Sequence, residues 1–169
     1  MDLSTIRPWL TLLHILGAFG FLAIHGVSMA VVMRLRSERD RVRVRTLLEL
    51  SAWSINALYL FLLVLLVAGI LSGIAGAWWT SGQLWIWAGL GLLVLITVAM
   101  YAVLTTYFLK LRAAVGIPTQ KEVKLGIEPV QLSDPELAVL LASPQPLIGA
   151  AIGVVGIVVI VWLMVLKPF

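Results

Sequence analysis

The sequence predicts an all-α polytopic membrane protein: a bundle of four transmembrane helices in a single membrane domain that covers residues 1–169. Two observations support this fold class. Hydrophobic residues make up 62% of the chain and charged residues only 12%, whereas a soluble domain is about one quarter charged. Four segments are apolar over at least about 20 residues, the helix length that crosses a bilayer core. The chain has no cysteines, which excludes disulfides, thiolate metal sites and iron–sulfur clusters.

The predicted spans cover residues 8–33, 47–75, 84–109 and 147–166. The first three exceed the minimum length, so they are expected to tilt or to extend beyond the bilayer core. Tryptophans lie near the span ends on one side of the predicted membrane, which indicates an interfacial aromatic belt. These tryptophans are Trp9, Trp78, Trp79, Trp85, Trp87 and Trp162.

Basic residues are concentrated in the first and third connections, residues 34–46 and 110–146. The second connection has no charged residue, and the tails carry only Arg7 and Lys167 as basic residues. Because cytoplasmic connections are enriched in Lys and Arg, we expect both basic connections in the cytoplasm and both termini outside it. The first connection is also expected to contact anionic lipid headgroups or an acidic partner, unless its charges only set topology. Its arginines are Arg34, Arg36, Arg39, Arg41, Arg43 and Arg45.

The third connection is the only sizeable part predicted outside the bilayer. Its first half, "VGIPTQKEVKLGIEPVQL", is expected to be extended or partly β-stranded. The following "SDPELAVLLASPQP" predicts a short interfacial helix with Asp134 as N-cap and Pro135 at its first position, ended by Pro144 and Pro146. It contains no nucleotide-binding loop, zinc-ligand spacing or catalytic triad, and nucleic acid is not an expected partner.

The first span holds both histidines of the chain, His14 and His25. Eleven residues at about 100° each return to within about 20° of the same helix face. An ionisable group facing lipid is costly, so this face is expected to point into protein. The two rings are about 16 Å apart along the axis, which excludes one metal held by both, since ligands lie within a few Å of a shared ion.

We expect the two histidines to have different roles. His25 and Asn56 lie at nearly the same depth from the basic end of their spans, so a structural hydrogen bond between them is predicted, with Ser28 one turn nearer the cytoplasm. His14 has no such obvious side-chain partner, so Thr11 one turn away, a backbone carbonyl, a water or a bound cofactor could satisfy it. It is therefore the candidate ligand of a heme or pigment, with His25 a weaker candidate and Met100 of the third span as a second axial ligand.

Two pairs of glycines at four-residue spacing predict close helix packing. Gly69 and Gly73 lie in the second span, and Gly149 and Gly153 lie in the fourth. Small residues at this spacing let helix backbones approach one another. The fourth span is otherwise uniformly apolar, so its glycine side is expected to pack within the bundle or against another subunit.

Three short stretches, "LLHILGAFGFL", "ILSGIAGAWW" and "WLMVLKPF", resemble an uncharacterised bacterial family of predicted four-helix integral membrane proteins. The "LHILG" element is also similar to the first helix of the copper-resistance-D and membrane protoporphyrinogen-oxidase-like group. That resemblance implies heme b ligation by a first-helix histidine, at His14. It does not extend to oxidase chemistry, because no arginine or lysine lies inside the membrane after His14.

These observations favour a non-catalytic integral membrane module of the bacterial inner membrane, acting as an accessory or structural subunit of a larger complex such as an energy-transducing one. Its expected partners are the lipid bilayer and other membrane subunits or further copies of the chain. The alternative is a heme b redox protein that uses His14. A small transporter ranks third, because no predicted span has an internal proline or a central carboxylate.

Overall fold

A computed structural model describes residues 3–79 and 82–169, and every regular element within them is a helix. Four helical segments are long and apolar enough to cross a membrane, so the predicted fold class is confirmed. The six helices are α1 (Leu3–Ser37), α2 (Arg41–Ala75), α3 (Leu84–Ala114), α4 (Gln120–Leu125), α5 (Asp134–Leu141) and α6 (Gln145–Leu166).

The helices form two antiparallel pairs, α1 with α2 and α3 with α6. In the first pair Thr11 bonds Ser72 near one end and Ser28 bonds Ser54 towards the other. The pairs meet where α6 contacts α1. We call one end of the bundle the basic end, which holds the α1–α2 turn and residues 115–144. The opposite end, the tryptophan end, holds the described residues of the α2–α3 connection, the start of α1 and the end of α6. Thr80 and Ser81 of that connection lie outside the described residues.

Most residues of the predicted connection 34–46 are helical. Only residues 38–40 separate α1 from α2. Asp40 caps α2, because its carboxylate accepts hydrogen bonds from the N–H groups of Val42 at 2.8 Å and Arg43 at 3.4 Å. The charged ends of both helices therefore extend beyond the apolar segments that defined the spans.

Helix α1 begins at Leu3, five residues before the predicted first span, so Pro8, the first residue of that span, lies inside the helix. Apolarity marks only the part of a helix that is immersed in lipid, whereas α1 continues past that part at both ends.

The segment predicted to be extended contains α4 instead. Thr119 and Glu122 form a reciprocal capping box, and Gly126 ends the helix in the left-handed conformation at φ 66°. These start and stop signals outweigh the nearby valines and prolines. Hydrogen bonds from the Thr119 N–H and hydroxyl lower the pKa of Glu122.

The short helix predicted before the last span is confirmed as α5, although its N-cap is Ser133 rather than Asp134. The Glu136 carboxylate accepts hydrogen bonds from the Ser133 N–H at 2.9 Å and hydroxyl at 2.6 Å. Pro144 separates α5 from α6, and Pro146 lies in the first turn of α6.

The largest buried apolar cluster in the described structure lies at the basic end. Helix α5 packs there against the ends of α1, α2 and α3, so this end is closed by protein. Its largest members include Leu35, Leu48, Tyr107, Leu111, Leu137 and Leu141.

Candidate functional site

Polar side chains of α1 form cross-helix contacts with α2. The hydroxyls of Thr11 and Ser72 are 2.9 Å apart, and those of Ser28 and Ser54 are 3.1 Å apart. Ser54 donates its own proton to the Ser51 carbonyl at 2.8 Å, so Ser28 is the donor in its pair. A hydrogen bond between membrane helices contributes about 0.6–2 kcal/mol.

His14 bonds a backbone group of α2. Its Nδ1 lies 2.8 Å from the Leu65 carbonyl oxygen, which can only accept, so Nδ1 carries the proton. The neutral ring then keeps an unprotonated Nε2. The ring lies against Gly69, where a Cβ atom would be 2.7 Å from Nδ1. Gly69 therefore provides the space in which His14 reaches α2.

The hydrogen bond predicted between His25 and Asn56 is wrong. His25 stacks on Phe21, with ring centroids 5.8 Å apart, and faces α6 at Gly153, whereas Asn56 is exposed on α2. The depth match was sound, but depth does not determine rotation about the helix axis. Ser54 faces α1, and Asn56 follows it by two residues, about 200° around the helix.

The two histidines therefore contact different helices although they lie on nearly the same face of α1. Met100 approaches His25 rather than His14: a Cβ atom on Gly153 would be 3.1 Å from the His25 Nε2 and 3.5 Å from the Met100 Sδ. The structure therefore does not bring Met100, the predicted second axial ligand, to His14. Two open cavities among the described residues, one around Thr11 and one around Glu122, are lined by neither histidine.

The predicted glycine motifs bring neighbouring groups close to the backbone. In α2, Gly73 accommodates the indole of Trp79, as Gly69 accommodates His14. In α6, Gly149 faces Leu104 and Gly153 faces Met100, both on α3. The glycine side of α6 is therefore used largely within the bundle.

Arg41 is the main polar link of the basic end, a role that the sequence did not reveal. Its guanidinium donates to the carbonyls of Ala114 at 2.8 Å and Leu132 at 2.7 Å, and to the Asp134 carboxylate at 2.7 Å. These groups belong to the end of α3, the following connection and the start of α5. One side chain of α2 thus joins three separate parts of the chain.

Other arginines of this region also have partners within the protein. Arg36 donates to the Ser143 carbonyl, and Arg34 and Arg45 each pair at 3.1 Å with a glutamate four residues later. The buried Glu38 carboxylate accepts from the N–H groups of Arg39 and Asp40, which lowers its pKa, and Arg34 assists. Some of the arginines in this region therefore bind other parts of the protein, so the six do not form a uniformly free cationic surface.

The tryptophan end contains a packed aromatic group as well as exposed rings. Trp85 is buried and meets Trp78 edge to face, with ring centroids 5.7 Å apart. The guanidinium of Arg7 and the ammonium of Lys167 lie 4.6 and 4.9 Å from the Trp78 ring centroid. These cation–π contacts hold the start of α1 and the residue after α6 against the α2–α3 connection.

The described residues contain no group of three or more His, Cys, Asp or Glu side chains that could hold a metal ion. Comparisons of the chain with protein-family models, curated proteins and solved structures found no match.

Proposed function

We propose that this chain is a non-catalytic integral membrane module, an accessory or structural subunit of a larger membrane complex. The proposal rests on the observation that Thr11, His14 and Ser28 of α1 all form hydrogen bonds with α2. These three side chains therefore join the two helices. The Arg41 contacts at the basic end join helices in the same way.

The outer surface of the bundle supports the same proposal. Fewer than a quarter of the residues in the most apolar part of each span are buried within the chain. Large side chains such as Trp53, Tyr101 and Val158 are exposed on three different spans. These faces are available for lipid and for other membrane subunits.

Native electrophoresis tests this proposal. A tagged chain extracted from its own membranes in a mild detergent should migrate at a mass well above that of its own oligomers. It should carry other membrane proteins in fixed stoichiometry, and deleting the chain should reduce the amount of the assembled complex. A particle that contains only copies of this chain would contradict the accessory role.

Heme b binding at His14 is the second candidate function. The bond from Nδ1 to the Leu65 carbonyl orients the ring and leaves Nε2 as the free nitrogen, and histidines that ligate metals are commonly held in this way. Hemin added to the purified protein should then bind in a 1:1 ratio. Binding should be lost in His14→Ala and kept in His25→Ala; equal binding by all three proteins would exclude His14 as the ligand.

We propose an orientation in the bacterial inner membrane with the basic end in the cytoplasm. The support is that the arginines of the α1–α2 turn gather at one end, while the start of α1 and the end of α6 lie at the other. A reporter that is active only in the cytoplasm should therefore be silent when fused after Phe169. It should be active when inserted after Gly126, at the basic end, and the reverse pattern would contradict the orientation.

A further inference from the structure

One exposed face of α2 follows the spacing of a coiled coil. Its residues alternate in steps of three and four, and all of them are exposed. This repeat of 3.5 residues is the pattern by which two helices wrap around each other with a left-handed twist. We call this face the α2 seam: Trp53, Asn56, Leu60, Leu63, Val67 and Ile70.

Asn56 is the amide within this otherwise apolar seam. It lies seven residues beyond Glu49, the last charged residue of α2, and therefore about 10 Å further into the apolar part of the helix. Its side chain is exposed and bonds no residue that the structure describes. An amide that faces lipid without a partner is costly, and such groups commonly hydrogen-bond across helices.

The exposed polar side chain of Thr97 differs from Asn56 in its hydrogen bonding. Thr97 on α3 is also exposed, but its hydroxyl donates to the Leu93 carbonyl of its own helix at 2.8 Å. Thr97 therefore needs no group from outside the chain. Asn56 has two amide hydrogens and a carbonyl oxygen, and no comparable bond satisfies them.

We propose that the α2 seam pairs with the α2 seam of a second copy of this chain. The two copies have the same direction in the membrane, so their α2 helices run parallel about a twofold axis along the membrane normal. Identical residues then meet at equal depth, and each Asn56 amide donates to the other. An amide is both donor and acceptor, so this contact is self-complementary.

The composition of the seam supports a second copy over a different partner. Between Trp53 and Ile70 it has no charged residue that would select an oppositely charged surface. A single polar residue among apolar seam positions is a known means of fixing register and oligomer state in parallel coiled coils. The pairing does not depend on the accessory role, because a dimer can exist alone or within a larger complex.

Disulfide trapping tests the geometry, and the absence of native cysteines makes single-cysteine variants unambiguous. Leu60→Cys and Leu63→Cys in membranes should give covalent dimers on oxidation. Ile55→Cys, exposed on another face of α2, and Val98→Cys, exposed on α3, should not. Equal trapping at all four sites, no trapping in the seam, or a seam adduct with a different protein would overturn the proposal.

The amide contact is tested by dimerisation of fluorescently labelled protein in detergent, measured by energy transfer. Asn56→Leu should raise the dimer dissociation constant about 3- to 30-fold, whereas Asn56→Gln should largely preserve it. Thr97→Val is the matched control and should leave it unchanged. Since Asn56 is exposed, its replacement should not disturb the fold, and an unchanged constant in Asn56→Leu would refute the amide pairing.

Discussion

Replacing Arg41 with glutamine should lower the free energy of unfolding by roughly 2–4 kcal/mol, because hydrogen bonds to charged groups each contribute about 1.5–3 kcal/mol. The guanidinium is partly shielded and bonds the Ala114 and Leu132 carbonyls as well as Asp134. Glutamine cannot reach all three groups, so acceptors at the end of α3 and before α5 lose their donor. Unfolding in detergent, followed by tryptophan fluorescence, measures the change.

Arg43→Gln is the control for this prediction. Arg43 has the same charge and lies two residues further along α2, but it is exposed, and among the described residues it pairs only with Asp40, at 3.6 Å. Its replacement should cost less than about 1 kcal/mol. Equal losses in the two variants would show that the total basic charge matters and that the specific contacts of Arg41 do not.

Replacing Gly17 with alanine should separate α1 from α2 and destabilise the bundle by about 1–3 kcal/mol, the usual cost of an overpacked contact. The new Cβ would lie 2.8 Å from the Leu65 backbone nitrogen and 3.0 Å from its Cα. A helix backbone cannot move aside as a flexible side chain can. The shift would also lengthen the bond between His14 and the Leu65 carbonyl.

Gly26→Ala provides the comparison on the same helix. A Cβ at Gly26 would meet no atom within 4 Å, and alanine favours a helix over glycine by about 0.5–1 kcal/mol. This variant should therefore be as stable as the original protein or slightly more stable. If both alanine variants unfold alike, α1 and α2 are not in the close contact that the structure shows.

Hydropathy predicted the four spans because a segment that crosses lipid must pair its backbone polar groups within a helix and must carry a long run of apolar side chains. It did not predict where the helices end. Arg34 and Arg36 continue α1, and α2 begins at Arg41, because arginine has a high helix propensity and a helix can continue beyond its apolar segment. The capping residue Asp40 was the available signal for the start of α2.

The contacts of the histidines were only partly predictable for a different reason. Asn56 matched His25 in depth, but rotation of α2 about its axis depends on packing along its whole length. The partner of His14 is a main-chain carbonyl, and every residue has one, so no residue type marks it. Gly69 was the indirect signal, because a ring can approach the backbone closely only where a side chain is missing.

The same limit applies to Arg41. Its role depends on two main-chain carbonyls, of Ala114 and Leu132, that lie far from it in sequence. Six arginines at similar spacing looked equivalent as a group. Only the packing of the third connection against the α1–α2 turn distinguishes Arg41 from the more exposed Arg43.

The central claim, that the polar groups of α1 serve helix packing, is tested most directly by His14→Ala measured for unfolding and visible absorbance together. The account predicts a loss of about 0.5–1.5 kcal/mol, the net contribution of one hydrogen bond, with no change in the absorbance spectrum. Leu16→Ala, at an exposed position of the same helix, should be nearly neutral. A heme absorbance band that disappears in His14→Ala while stability is unchanged would contradict the account.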